Sequence, residues 1–175
     1  MKLTVNGVEH QIASPPLESL LQVLREEIGF TSPKAGCQQG GCGACTVLVE
    51  GEPRRACLLP VGAVDGAAVT TLEGLTQNGK LTPVQASFYE NYAAQCGFCT
   101  SGFVLASEAL LQRSPRPTRE QIIEALAGHV CRCTGYVKIV SAVEAAARGE
   151  VAEEPAGPEP GSETGAEVLV PGSPA

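Results

Sequence analysis

Residues Gly36 to Val47 read Gly-Cys-Gln-Gln-Gly-Gly-Cys-Gly-Ala-Cys-Thr-Val, which sets Cys37, Cys42 and Cys45 within nine residues, and Cys57 follows in the next segment. The spacing is C-x4-C-x2-C with a distant fourth. Gly36, Gly40, Gly41 and Gly43 let such a loop wrap closely, so that backbone N–H groups can point at sulfurs carrying negative charge. The chain has eight cysteines in 175 residues, no Trp and only 4% aromatic residues, so it lacks the large anchors of an ordinary core. The N-terminus carries no apolar run of the about 7 to 15 residues that a secretory signal needs, and no stretch of about 18 apolar residues occurs. A soluble, cytoplasmic protein is expected, and in a reducing cytosol this cysteine density points to metal rather than disulfides.

The spacing of the first set is the plant-type pattern for a 2Fe-2S cluster; a structural zinc site, built from two paired C-x2-C knuckles, fits three ligands in one irregular loop poorly. The second set is Cys96 and Cys99 with Cys131 and Cys133, each pair between two predicted helices. Two such turns brought together supply four thiolates to one centre. Taken alone this set is open between zinc and iron-sulfur, with the C-x-C pair leaning toward iron. A Rieske centre needs two His ligands, and the only histidines are His10 and His129. His129 is read as a surface or packing residue, because the cysteines already close two four-ligand sites.

Outward from the first loop, Lys2–Val5 and Val8–Ile12 form a predicted hairpin on Asn6-Gly7, the dipeptide that best tolerates a two-residue turn. Ser14 as N-cap and Pro15 at the first helical position predict a helix carrying Leu17, Leu20, Leu21, Leu24 and Ile28, ended by Gly29. Thr46–Glu50 and Arg54–Leu59 are predicted strands, with a short one over Ala68–Leu72. Past Leu81 the period becomes helical. Thr82 caps a helix through Val84, Phe88 and Tyr92; a second spans Ser101–Gln112; Thr118 with Gln121 opens a third through Ile122 and Leu126; a fourth spans Tyr136–Ala147. The expected class is α+β: a β-rich unit over residues 1–75, an all-helical unit over 76–149, and a tail over 150–175. The tail holds six Glu, five Pro and four Gly without Lys or Arg, a composition that predicts disorder. Residues 1–149 hold 12 Lys and Arg against 13 Asp and Glu, and the absence of a basic cluster argues against nucleic-acid or anionic-membrane binding.

Three stretches, GCQQGGCGACTV (36–47), QCGFCTSG (95–102) and GHVCRCTGYVKI (128–139), together resemble the small iron-sulfur subunit of the xanthine dehydrogenase family of molybdenum hydroxylases. The likeness runs over residues 2 to 148 with all eight ligand positions present. It implies an N-terminal β-grasp, plant-type ferredoxin domain, then a C-terminal four-helix 2Fe-2S bundle. By the same resemblance Cys37, Cys42, Cys45 and Cys57 hold the cluster nearer a flavin, and Cys96, Cys99, Cys131 and Cys133 hold the one nearer molybdenum. Gln95 matches the position whose amide contacts molybdopterin, and Cys133 the ligand closest to the pterin. Implied partners are a large molybdopterin-binding subunit and an FAD-binding medium subunit. The implied chemistry of the complex is hydroxylation of an aldehyde, an N-heterocycle or a similar substrate, oxidation of carbon monoxide, or reductive dehydroxylation as in 4-hydroxybenzoyl-CoA reductase. This chain carries neither G-x-G-x-x-G nor a P-loop, so catalysis falls to the partners. Ser101, His129 and Pro33 depart from the family's usual Pro, Asn and Thr-Gly-Thr-Lys loop. The competing readings are a free-standing ferredoxin-like carrier and a zinc-stapled structural module.

Overall fold

The computed structural model describes residues 1–76 and 79–151, and the expectation of a disordered tail lies outside them apart from Glu150 and Val151. Two hairpins build one mixed sheet. Strand β1 (Lys2–Val5) pairs antiparallel with β2 (Val8–Gln11), and β3 (Thr46–Val49) with β4 (Glu52–Arg55). Strand β5 (Ala68–Thr70) joins them, parallel to β1 and antiparallel to β3, giving the order β2-β1-β5-β3-β4. Asn6 and Gly7 take φ of 52° and 82°, the left-handed pair that a tight hairpin turn demands.

The sheet packs on a single helix, α1 (Leu20–Gln22), which continues as a π-helical stretch over Val23–Ile28. Leu3, Val5, Val47 and Val69 of the sheet meet Leu20, Leu21, Val23 and Leu24 in one buried cluster. The expected start at Ser14-Pro15 is corrected. Ser14 donates its hydroxyl to Glu27 at 2.5 Å, so it is not free to cap. The N-cap is Ser19, whose hydroxyl accepts from the Gln22 N–H, and Leu17 falls outside the helix, 87% exposed. Gly29 ends the run at φ 96°, as expected. The fourth strand is also corrected. It starts at Glu52 and stops at Arg55, and Cys57 sits in a 3-10 turn over Ala56–Leu58 instead of on a strand.

Four helices follow: α2 (Pro83–Glu90), α3 (Thr100–Arg113), α4 (Arg119–Leu126) and α5 (Val137–Arg148). Val84, Phe88, Phe103, Ile122, Leu126, Ile139 and Val143 close a second core. Tyr92 does not share it: α2 ends at Glu90, the Asn91 amide turns back to the Ser87 carbonyl at 2.9 Å, and Tyr92 is 79% exposed. Thr82 with Gln85 and Thr118 with Gln121 form capping boxes, each satisfying two otherwise orphaned N–H groups. Thr118→Ala is expected to lower stability by about 1 kcal/mol, seen as a lower denaturant midpoint at unchanged m-value.

The two halves meet along α3. Leu48 of β3 packs on Leu105 and Ala109. Ser101, 4% exposed, donates its hydroxyl to the Ser32 carbonyl at 2.7 Å. At the far end Arg113 and Glu52 approach to 3.3 Å, both about half exposed, so this pair adds little.

Candidate metal centres

All eight cysteines are unpaired, and they gather as two groups of four, one in each half. In the first, Cys37, Cys42 and Cys45 lie on the loop that enters β3, and Cys57 reaches them from the turn after β4. Antiparallel pairing of β3 with β4 opposes Thr46 to Arg55, which brings the residues flanking both strands to one end of the hairpin. The Gln39 and Cys42 N–H groups both donate to the Cys37 sulfur at 3.4 Å. Those donors, Gln39 first, pull the Cys37 thiol down to about 7. Cys45 is buried and interacts with Cys57; burial pushes its thiol up to about 11.

The second group uses the loops between α2 and α3 and between α4 and α5, as expected. The Cys133 and Cys96 sulfurs stand 3.7 Å apart. Two thiolates on one tetrahedral ion, with bonds of about 2.3 Å, stand about 3.8 Å apart, whereas a disulfide requires about 2.05 Å. Cys99 contacts Cys131, and burial raises the Cys99 thiol to about 12. On Cys131 burial also raises, but the Thr134 hydroxyl and N–H, at 3.1 and 3.4 Å, outweigh it and the thiol is lowered. Cys133 is raised, chiefly by its contact with Cys96.

The sulfurs come in contacting pairs, Cys37 with Cys42, Cys45 with Cys57, Cys96 with Cys133 and Cys99 with Cys131. That donor set fits a cluster of two irons, each held by two thiolates and bridged by sulfide, better than a mononuclear zinc. N–H and O–H donors aimed at Cys37 and Cys131 suit the same group, since they stabilise sulfur-borne negative charge.

Three predicted positions fall as follows. Gln95 lies in the α2–α3 loop and donates its side-chain amide to the Cys133 carbonyl at 3.1 Å, tying the two ligand loops together. Cys133 is exposed. His129 is the packing residue expected, but not a passive one. It is 5% exposed, its Nε2 lies 3.0 Å from the Thr46 hydroxyl, and its ring is 5.2 Å from that of Phe103. Thr46 spends its hydroxyl hydrogen on the Gly43 carbonyl at 2.7 Å, so Nε2–H donates to the Thr46 oxygen and the Nδ1 lone pair is left without a partner. Burial first and Arg55 second push the imidazole down to about 4, which keeps it neutral.

Other residues at the sites were missed. Thr134 donates to Cys131, and the Tyr136 hydroxyl accepts from the Cys131 N–H at 3.0 Å. The run Thr134-Gly135-Tyr136 immediately after Cys133 was the available signal. The Val130 N–H donates to the Cys42 carbonyl at 2.9 Å, which joins the ligand loop of one half to that of the other through a single hydrogen bond. No local sequence signal announces that contact.

Comparison with known proteins agrees with this geometry. Residues 3–68 match the family described as 2Fe-2S iron-sulfur cluster binding domain, and residues 71–144 the family described as 2Fe-2S binding domain. The chain is 46% identical over 143 residues to the nicotinate dehydrogenase small FeS subunit of Eubacterium barkeri, covering 82% of this chain and 91% of that one. It is 43% identical over 146 residues to the xanthine dehydrogenase iron-sulfur-binding subunit of Escherichia coli O157:H7, covering 82% and 91%. Among solved structures it superposes on a chain of quinoline 2-oxidoreductase from Pseudomonas putida 86 with a TM-score of 0.80 at 41% identity, covering 86% of this chain and 97% of that one. The aldehyde oxidoreductase of Desulfovibrio desulfuricans gives a TM-score of 0.81 at 43% identity, covering 85% of this chain but 17% of that much longer one.

Proposed function

The chain belongs to the molybdenum hydroxylase family as a small 2Fe-2S subunit of an oxidoreductase complex, and we propose that it relays electrons singly between a molybdopterin centre and a flavin on partner subunits. Its fold is of the α+β, two-domain 2Fe-2S type. In this reading residues 1–75 are a β-grasp ferredoxin domain and residues 76–149 a four-helix 2Fe-2S bundle. Two bound 2Fe-2S clusters would supply one-electron redox chemistry. Cys37, Cys42, Cys45 and Cys57 would hold the flavin-side cluster; Cys96, Cys99, Cys131 and Cys133 would hold the molybdenum-side one.

The observation that carries this reading is the Val130–Cys42 hydrogen bond, which sets the two thiolate groups in series through one short bonded path. Direction follows from exposure. Cys96 and Cys133 are open to solvent at the surface of the helical half, and Gln95 bonds to the Cys133 carbonyl; both support a reading in which Cys133 faces a pterin. An amide offers both donors and acceptors to a pterin edge. Around that end Tyr92, Phe98, Val130 and Val137 are also exposed, at 79, 48, 55 and 65%. Such an apolar rim suits a permanent partner better than a wandering carrier. Among the described residues no helix is long and apolar enough to cross a membrane.

Anaerobic co-expression with the neighbouring genes tests the proposal. The expected product is one complex by size exclusion, in which this chain contributes iron and acid-labile sulfide in equal amounts. A chain that elutes alone beside an intact molybdenum subunit, or that carries zinc without iron, defeats it.

A further inference from the structure

We infer that Arg55 is a fixed cation shared by the two cluster sites, setting the potential of both from the seam between them. The inference rests on the two-cluster reading above. Arg55 is the last residue of β4, two positions before Cys57. Strand alternation leaves Arg54 exposed and turns Arg55 toward the helical half. Its Nη1 donates to the Thr46 hydroxyl oxygen at 2.6 Å, and Thr46 directly follows Cys45. Its Nη2 donates to the Gly128 carbonyl at 2.6 Å, three residues before Cys131. A side chain at Gly128 would collide with that guanidinium, so the close approach depends on glycine there. The fork therefore spans both ligand loops with one charge.

None of the four ion pairs among the described residues includes Arg55. Its neighbour His129 approaches it with Nε2 at 3.3 Å and brings no carboxylate. Arg55 is part-buried and, among the described residues, has no carboxylate bonded to it, so its charge acts on whatever other negative charge lies nearby. Two four-thiolate iron-sulfur sites supply that charge, and each becomes one unit more negative on reduction. A nearby cation favours the reduced form and raises the potential. Arginine keeps its proton at any working pH, so the effect is constant. Because it touches both loops, its removal should move both potentials in one direction and alter the interval between them less.

The test is an anaerobic redox titration of the holoprotein in its complex, followed by EPR, on Arg55→Gln, Arg55→Lys and Arg54→Gln. Iron, sulfide and g-values confirm that both clusters remain. Arg55→Gln is expected to weaken reduction of each cluster at least about tenfold, about 59 mV for a one-electron couple. Arg55→Lys, which keeps the charge and loses the fork, should keep both potentials near the unmodified values. Arg54→Gln should move neither. Indifference of both potentials to Arg55→Gln, or a shift of one alone, overturns the inference. If the Gln variant loses a cluster, the Lys variant decides: a shift there as large as tenfold means the residue acts by shape, and the inference fails. Unmodified protein without two 2Fe-2S signals overturns the two-cluster reading itself; two signals that ignore Arg55 overturn only its role.

Discussion

Dithionite-reduced Cys133→Ser protein is expected to lose or reshape one of two spin-half EPR signals and to keep the other unchanged. In the proposed cluster Cys133 shares an iron with Cys96, whose sulfur is 3.7 Å away, and a serine oxygen is a shorter, harder donor that iron-sulfur centres accept poorly. The other four cysteines belong to a loop and turn framed by a different core, built on Leu3, Leu24, Val47 and Val69. Nothing in that core depends on Cys133. Iron and sulfide should fall toward about half, since one of two clusters is lost. The helices should survive, because Phe103, Ile122, Ile139 and Val143 remain packed whether or not the loops are ligated. Cys45→Ser should give the mirror result. Loss of both signals from either substitution would show that the eight thiolates act as one site.

Gly43→Ala is expected to cost about 2 to 5 kcal/mol. Gly43 has φ of 76°, where a side chain costs about 1 to 2 kcal/mol in backbone strain. Its added Cβ would also fall 2.5 Å from the His129 ring and 2.8 Å from the Gly128 carbonyl oxygen, and overpacking of this kind adds about 1 to 3 kcal/mol. Gly51 is the control. It has a similar φ of 79° but open space around it, so Gly51→Ala should show only the backbone part. Denaturant melts of the two variants side by side measure the difference. Equal losses would mean that the seam yields to the methyl group. Gly102→Ala strikes the same place from α3, since its Cβ would overlap the Gly43 carbonyl oxygen. The two changes share neighbours, so their costs should not add.

The features legible in the sequence were those set by neighbours within a few positions. The Asn6-Gly7 turn, the Thr118 capping box, the Gly29 stop and the C-x4-C-x2-C loop all obey short-range rules, and each stands where those rules put it. The onset of α1 did not, because Ser14 and Ser19 are equally good caps locally and the choice falls to Glu27, which captures Ser14 from 13 residues away. Tyr92 had the right spacing after Val84 and Phe88, but the Asn91 amide ends the helix first. The seam was the least legible part. Thr46, Arg55 and His129 meet across separations of 9, 74 and 83 residues, and hydropathy patterning carries no information at that range. Ser101 was visible only as a departure from a family pattern; its bond to the Ser32 carbonyl gives that departure a physical use.

The parallel partnership of β1 and β5 also imposes an order in time. Thr4 pairs with Ala68, 64 positions later. At synthesis rates of about 5 to 20 residues per second, β1 leaves the ribosome roughly 3 to 13 seconds before its central neighbour exists. Until then the β1–β2 hairpin has an open edge, and unpaired edges recruit other strands. The thiols of Cys37, Cys42 and Cys45 emerge within the same interval, ahead of the strand that completes their sheet. They therefore meet oxidants and stray ions before they meet their own scaffold. In the helical half the delay is nearly as long, since Ser87 of α2 donates to the Ala142 carbonyl of α5, 55 positions later. What sets the sheet-bearing half apart is that it waits with an open strand edge, and there the nascent chain is exposed to wrong pairing.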